Sequence, residues 1–178
     1  MATRIEKEFV RVEGEKELTH LSHSRVSRYL LCPEQYRLYY IEGLRPKVEP
    51  ATLVFGKLMH EALACLFQTE EDPITYFLER WEDLRDQELR YSYRVNWEHL
   101  RDRGRHLLSK FVLEERPRMY DVQASEKPFE LAISNLDVPF VGVIDLIARV
   151  EGVVSVVDFK TAAASYQEHE VQLSDQLT

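Results

Sequence analysis

The sequence is short of the features that mark unusual proteins. Six glycines and seven prolines in 178 residues are too few for a collagenous or low-complexity chain. Two cysteines, Cys32 and Cys65, make no disulfide framework, so a reducing, cytoplasmic setting is expected. No apolar run approaches the roughly 18 residues needed to span a bilayer. The polar start MATRIEKEF lacks the apolar stretch of a secretory signal, so no membrane partner is expected. There is no internal repeat. What is present, 44% hydrophobic and 30% charged residues, suits a globular protein, and the length suits one domain over 1–178.

A net charge of −8 argues against a protein that coats nucleic acid non-specifically. The mean hides a pattern. Residues 23–57 carry six Lys/Arg against three Asp/Glu, and 85–118 carry nine against six. Residues 58–84 carry one against seven, and 119–178 three against ten. Two mildly basic segments therefore alternate with two acidic ones, which by charge alone is also how a mixed solvated surface reads.

Local signals set out the elements. Residues 1–20 are polar and read as a loose arm or an edge strand. Residues 21–118 read as helical. Ser22 or Ser24 is placed to cap a helix through RVSRYLL. Pro33 restarts a helix, PEQYRLYYI, which Gly43 ends. Residues 44–54, with Pro46 and Pro50, read as a loop, and a helix is expected from about Phe55 to Gln68. Asp72-Pro73 opens ITYFLERWEDLRDQ, and a further helix runs from about Asn96 to Glu115. The period then changes. PFELAIS, VPFVGVIDLIARV and VVSVVDFK are rich in β-branched and aromatic residues and read as an antiparallel meander. After Thr161 a loop leads into the start of a helix. The fold class expected is mixed α/β (α+β), helices followed by a sheet.

Two carboxylates are out of place in that meander. VGVIDLIARV is apolar on both faces and reads as a central strand buried on both sides, with Asp145 in its middle. VSVVDFK repeats the pattern with Asp158. A turn centred on Glu151-Gly152 pairs Val150 with Val153 and sets Asp145 opposite Asp158. Opposed like charges in a dry sheet need a shared proton or a cation between them. A divalent ion with oxygen ligands, Mg²⁺ or Mn²⁺, meets that need. Lys160, two residues beyond Asp158, points to the same side. A lone D-x-K is ordinarily a surface ion pair; two opposed Asp, a Lys and apolar flanks together point to a site. His60, in GKLMHEALACLF, shares a helical face with Leu63, Ala64 and Phe67, where a histidine is ordinarily a satisfied core residue. Gly56, one turn earlier, allows a backbone or a substrate to come close.

These segments resemble the PD-(D/E)XK nuclease superfamily, in the branch of RecB-like and CRISPR-associated RecB-like exonucleases. SHSRVSRYLLCPEQYRLYYIEGL is similar to the N-terminal Ser…Cys-Pro segment of that branch. FGKLMH resembles its G-x-x-x-H motif (Gly56, His60), and VGVIDLI its G-x-x-D strand (Gly142, Asp145). VVDFKTA resembles its D/E-x-K motif (Asp158, Lys160), and VQLSDQLT the start of its Q-x-x-x-Y helix (Gln176). Four motifs in order are specific where each alone is weak.

The resemblance implies a restriction-endonuclease-like core and a metal-dependent DNA nuclease, exonucleolytic, acting in repair and recombination or in CRISPR adaptation. It implies metal ligation by His60, Asp145, Asp158 and the Phe159 carbonyl. It makes Lys160 the residue that orients water and steadies the phosphate, with Gln176 placing Lys160 or the DNA backbone. Glu126 and Glu130 read as supporting partners or as solvated edge-strand residues. DNA, as single- or double-stranded ends, is the implied partner, with a helicase or a CRISPR adaptation protein beside it. Arg25, Arg28, Arg37, Arg45 and Lys47, and a second set of Arg101, Arg103 and Arg105, are candidates for phosphate contact or form solvated helix faces. Cys32 matches an N-terminal iron–sulfur ligand of many relatives, whose other cysteines would lie beyond residue 178; otherwise it reads as a thiol or a helix cap. The family tyrosine falls two residues past Thr178, so the domain is expected to be truncated at its C-terminus. A non-catalytic DNA-binding or scaffolding module that keeps the fold is the alternative reading.

Overall fold

The structure, a computed structural model, describes residues 8–15 and 17–161. The chain starts with β1 (Phe9–Arg11), an edge strand of the kind expected for the arm. Ser22 caps α1 (His23–Leu31), its hydroxyl accepting the Arg25 N–H at 3.4 Å. Cys32 ends α1 and caps α2 (Pro33–Tyr36), its sulfur accepting the Gln35 N–H. The helix widens into a π turn over Arg37–Ile41 and stops at Gly43, whose φ of 64° is open to glycine without strain. β2 (Leu44–Pro46) returns antiparallel to β1.

The expected loop 44–54 is shorter than the prolines suggested. After β3 (Glu49–Pro50), α3 (Ala51–Thr69) begins four residues before Phe55. Pro50 lies just outside the first turn, where no N–H is needed, so it introduces the helix rather than delaying it. Asp72 caps α4 (Pro73–Asp83) through both the Ile74 and Thr75 N–H groups. β4 (Leu89–Arg90) pairs parallel with β3. Asn96 caps α5 (Trp97–Lys110), which continues as a π turn over Phe111–Glu115. The three long helices bury Phe55, Leu58, Met59, Phe77, Trp81, Leu100 and Leu108 in one core. Phe77 and Trp81 stack, and the Trp81 indole donates to the Trp97 carbonyl at 3.2 Å. The Phe77 ring lies so close to α5 that a Cβ on Gly104 would sit 2.2 Å from it.

The sheet is β5 (Met119–Leu131), β6 (Phe140–Val150) and β7 (Val153–Val157), antiparallel in that order. A parallel bridge from Leu21 to Phe140, at the start of the central strand β6, adds a parallel pairing to the sheet. Glu151 (φ 49°) and Gly152 (φ 94°) are both left-handed, the geometry of a two-residue hairpin turn. That turn sets Val150 against Val153 and Leu146 against Val157, the expected register. Three expectations change. β5 begins at Met119, well before PFELAIS, because left-handed residues at Asp121 and Glu126 and a register shift after Tyr120 hide its period. β6 is not dry on both faces: Leu146 and Ala148 are fully buried, while Val143 is 54% exposed. β7 closes at Val157, so Asp158 and Lys160 lie just past the strand.

Phe159 joins the two layers. It packs against both cores, stacking on Phe67 of α3 at 6.1 Å and meeting Phe111 edge-on at 5.5 Å.

Gly104→Ala tests the closeness of α4 and α5. Phe77 is fully buried and has no slack, so the substitution should destabilise by about 1–3 kcal/mol. Thermal melting should show a loss of roughly 2–4 °C per kcal/mol, and an unchanged melting temperature would mean the helices are not this close.

Candidate metal centre

His60 stands on the third turn of α3. Gly56 lies one turn before it, and a Cβ there would come within 3.3 Å of the Thr161 hydroxyl, so the helix and the segment after β7 approach closely at this point. Asp145 lies mid-way along β6. One of its oxygens accepts the Phe159 N–H at 2.6 Å, and the other is 3.4 Å from His60 Nδ1. Phe159 thus presents its N–H to this site.

The third member is Glu126. Its neighbours Ser125 and Lys127 pair with Leu146 and Ile144, so it falls opposite Asp145. Its φ of 50° interrupts the ladder there. His60, Glu126 and Asp145 each offer one ligand atom, all within 4.8 Å of one another. Among the described residues they are the one His/Cys/Asp/Glu group so placed. Sequence pattern alone leaves Glu126 as a supporting partner or a solvated edge-strand residue; the structure sets it facing Asp145. The signal that would have found it is the β5–β6 register, which no two-residue turn sets.

Charge in the cluster is unevenly held. Burial pushes the Glu126 carboxyl above its ordinary value, and the Asp145 charge pushes it further, against the pull of His60. Burial also acts to raise Asp145. Contact with His60 and the Phe159 N–H, with the charges of His60 and Lys160, outweighs it and leaves Asp145 below its ordinary value. The Asp145 contact raises His60, against burial and Lys160. Two close carboxylates and one imidazole are a donor set short of positive charge. They fit a divalent cation.

Lys160 donates to Asp158 at 2.8 Å, and its charge is felt by both His60 and Asp145. Asp158 lies one residue past β7, outside the three-residue group. Glu130 is exposed and faces Val141 instead. Gln176, and the helix expected around it, lie outside the described residues.

The cationic candidates divide. Arg25 is 2% exposed, paired with Glu15 and set over the Tyr40 ring, so it works inside the fold rather than at its surface. Arg37 is exposed and held by Glu34 and Glu42. Arg28 and Arg45 lie over the Tyr39 ring, and Lys47 is exposed. Arg103 and Arg105 are exposed on α5, while Arg101 pairs with Asp102. Cys32 serves as the helix cap.

A family model, that of the PD-(D/E)XK nuclease superfamily, matches residues 20–178. No curated protein matches the chain.

The His60–Asp145 pair predicts a pH signature in the metal-free protein. His60 is raised, so its contribution is full below about pH 6.5 and is lost as pH climbs through its folded value. Asp145 is lowered, so its contribution holds above about pH 3.9 and is lost as pH falls through its folded value. The melting advantage of wild type over His60→Gln should therefore be largest between about pH 4 and 6.5 and shrink as pH rises above that window. An advantage independent of pH would exclude this pairing.

Proposed function

This chain belongs to the PD-(D/E)XK nuclease superfamily, and from that premise we propose that it is a divalent-metal-dependent deoxyribonuclease, acting as an exonuclease on DNA ends. Its mixed α/β architecture accords with a restriction-endonuclease-like fold. The observation that carries the proposal is the convergence of His60, Glu126 and Asp145 within 4.8 Å, beside Lys160.

In this reading His60, Asp145 and Glu126 would hold a Mg²⁺ or Mn²⁺ ion, with Asp158 and the Phe159 carbonyl completing the set. Such an ion, when bound, polarises a phosphate oxygen and acidifies water. The protein's own groups do the rest. Asp158 holds the Lys160 ammonium at 2.8 Å, which sets where its remaining donors point. Lys160 then donates to phosphate oxygens as charge builds on them in the transition state. The Phe159 N–H fixes one Asp145 oxygen and leaves the other turned to His60. Gln176 would position Lys160 or the DNA backbone. No helix among the described residues is long and apolar enough to cross a membrane. We place the protein in the cytoplasm, in repair and recombination or CRISPR adaptation, alongside a helicase or adaptation partner.

Two measurements test this. Mn²⁺ should raise the melting temperature of wild type as its concentration passes the dissociation constant, and Asp145→Asn should abolish the effect. Cleavage of end-labelled DNA in Mn²⁺ should fall by about 10²–10³ in Lys160→Ala, with metal stabilisation retained. Wild-type cleavage by Asp145→Asn would sink the assignment.

A further inference from the structure

An open cleft lies away from the metal ligands. It has a volume of about 750 Å³ and sits between β1, β2, the π turn and the start of α3. Its walls are mostly apolar, with Phe9 from β1, Leu44 from β2, Pro50 and the 63% exposed Leu53. Three arginines, Arg28, Arg45 and Arg90, line it against one acid, Glu49. In a chain of net charge −8 that is a local reversal of sign.

The arginines are held ready. Arg28 and Arg45 lie over the Tyr39 ring at 3.7 and 3.5 Å, which fixes their planes; Arg45 Nη1 is further held by the Tyr39 and Leu44 carbonyls, so Arg45 offers its other nitrogens and Arg28 its guanidinium edge. Arg90 is exposed, makes no ion pair among the described residues, and is kept beside Pro50 by the β3–β4 pairing. Anionic groups and flat apolar groups are what such a cleft takes together. A nucleotide with its base unstacked supplies both, whereas a duplex keeps its base faces inside.

One helix, α3, carries both Leu53 of the cleft and His60 of the metal centre. Leu53, Gly56, Lys57 and His60 fall at i, i+3, i+4 and i+7 of α3, one face of the helix. None of the four is fully buried, and the Lys57 side chain is 77% exposed. Seven residues cover about 10 Å of helix.

We propose that this cleft binds single-stranded nucleic acid, with Arg28, Arg45 and Arg90 on phosphates and a base against Phe9 and Leu53, and that the strand runs along the Leu53–His60 face of α3 to the metal centre. The proposal rests on the nuclease reading for the identity of its occupant. It assigns strand choice to a surface separate from the metal ligands.

Fluorescence anisotropy of the full chain with a labelled oligo-dT of about twelve nucleotides, in EDTA so that nothing is cut, tests it. Wild type should bind the single strand more tightly than a duplex of the same length. Arg90→Glu and Leu53→Glu, both on exposed residues, should each weaken binding by about tenfold or more while melting as wild type does. Arg90→Gln should lower the salt slope by about one. Wild-type binding by both cleft variants, preference for the duplex, or no binding by wild type would overturn the proposal. Equal displacement by polyglutamate would overturn it in favour of an acidic protein partner. Mn²⁺ titration of the same samples separates the two readings. Cleft-dependent binding without metal binding defeats the nuclease assignment alone, and metal binding with unaffected cleft variants defeats the cleft alone.

Discussion

Phe159 is tied down twice, and the site depends on it. Its ring is clamped between Phe67 of α3 and Phe111 at the end of α5, and its N–H is given to Asp145 of β6. One residue therefore joins the helical core to the sheet and orients a carboxylate. His60, on the helix that Phe67 anchors, is brought to 3.4 Å from that carboxylate as a consequence. Packing is non-directional, but a stacked ring and a short N–H contact on the same residue leave little freedom to the segment that carries Asp158 and Lys160.

The site that results is poised against itself. Asp145 is kept charged by a histidine, a backbone N–H and a lysine, while Glu126 opposite resists ionisation. A fold does not gain stability by gathering partly buried carboxylates, and this gathering makes physical sense once a cation can satisfy it. The aromatic and aliphatic core of α3, α4 and α5, against which the Phe159 ring packs, contains none of these charged side chains. It provides the rigidity against which an electrostatically unfavourable cluster can be held.

Much of this could be read along the chain. Caps at Ser22, Asp72 and Asn96 act through neighbours two or three residues away, so they were visible locally. The β6–β7 register was visible for the same reason, because a two-residue turn at Glu151-Gly152 dictates it. The helix start at Ala51 was obscured by Pro50, which can end a loop as readily as extend one. The length of β5 was obscured by left-handed residues inside it. Arg25 looked like a surface cation because nothing local announces Glu15 and Tyr40 as its partners.

The sequence by itself determined the motif order, the hairpin that carries Asp145 toward Asp158, and the histidine one turn beyond a glycine. These follow from short-range rules of capping, turn chemistry and periodicity. Only the tertiary structure decided that Glu126 faces Asp145, that Phe159 locks the sheet to the helices, and that Arg90 comes to the same cleft as Arg28 and Arg45. Each of those contacts joins residues on separate elements. Their meeting is set by how the layers pack, which no local pattern encodes.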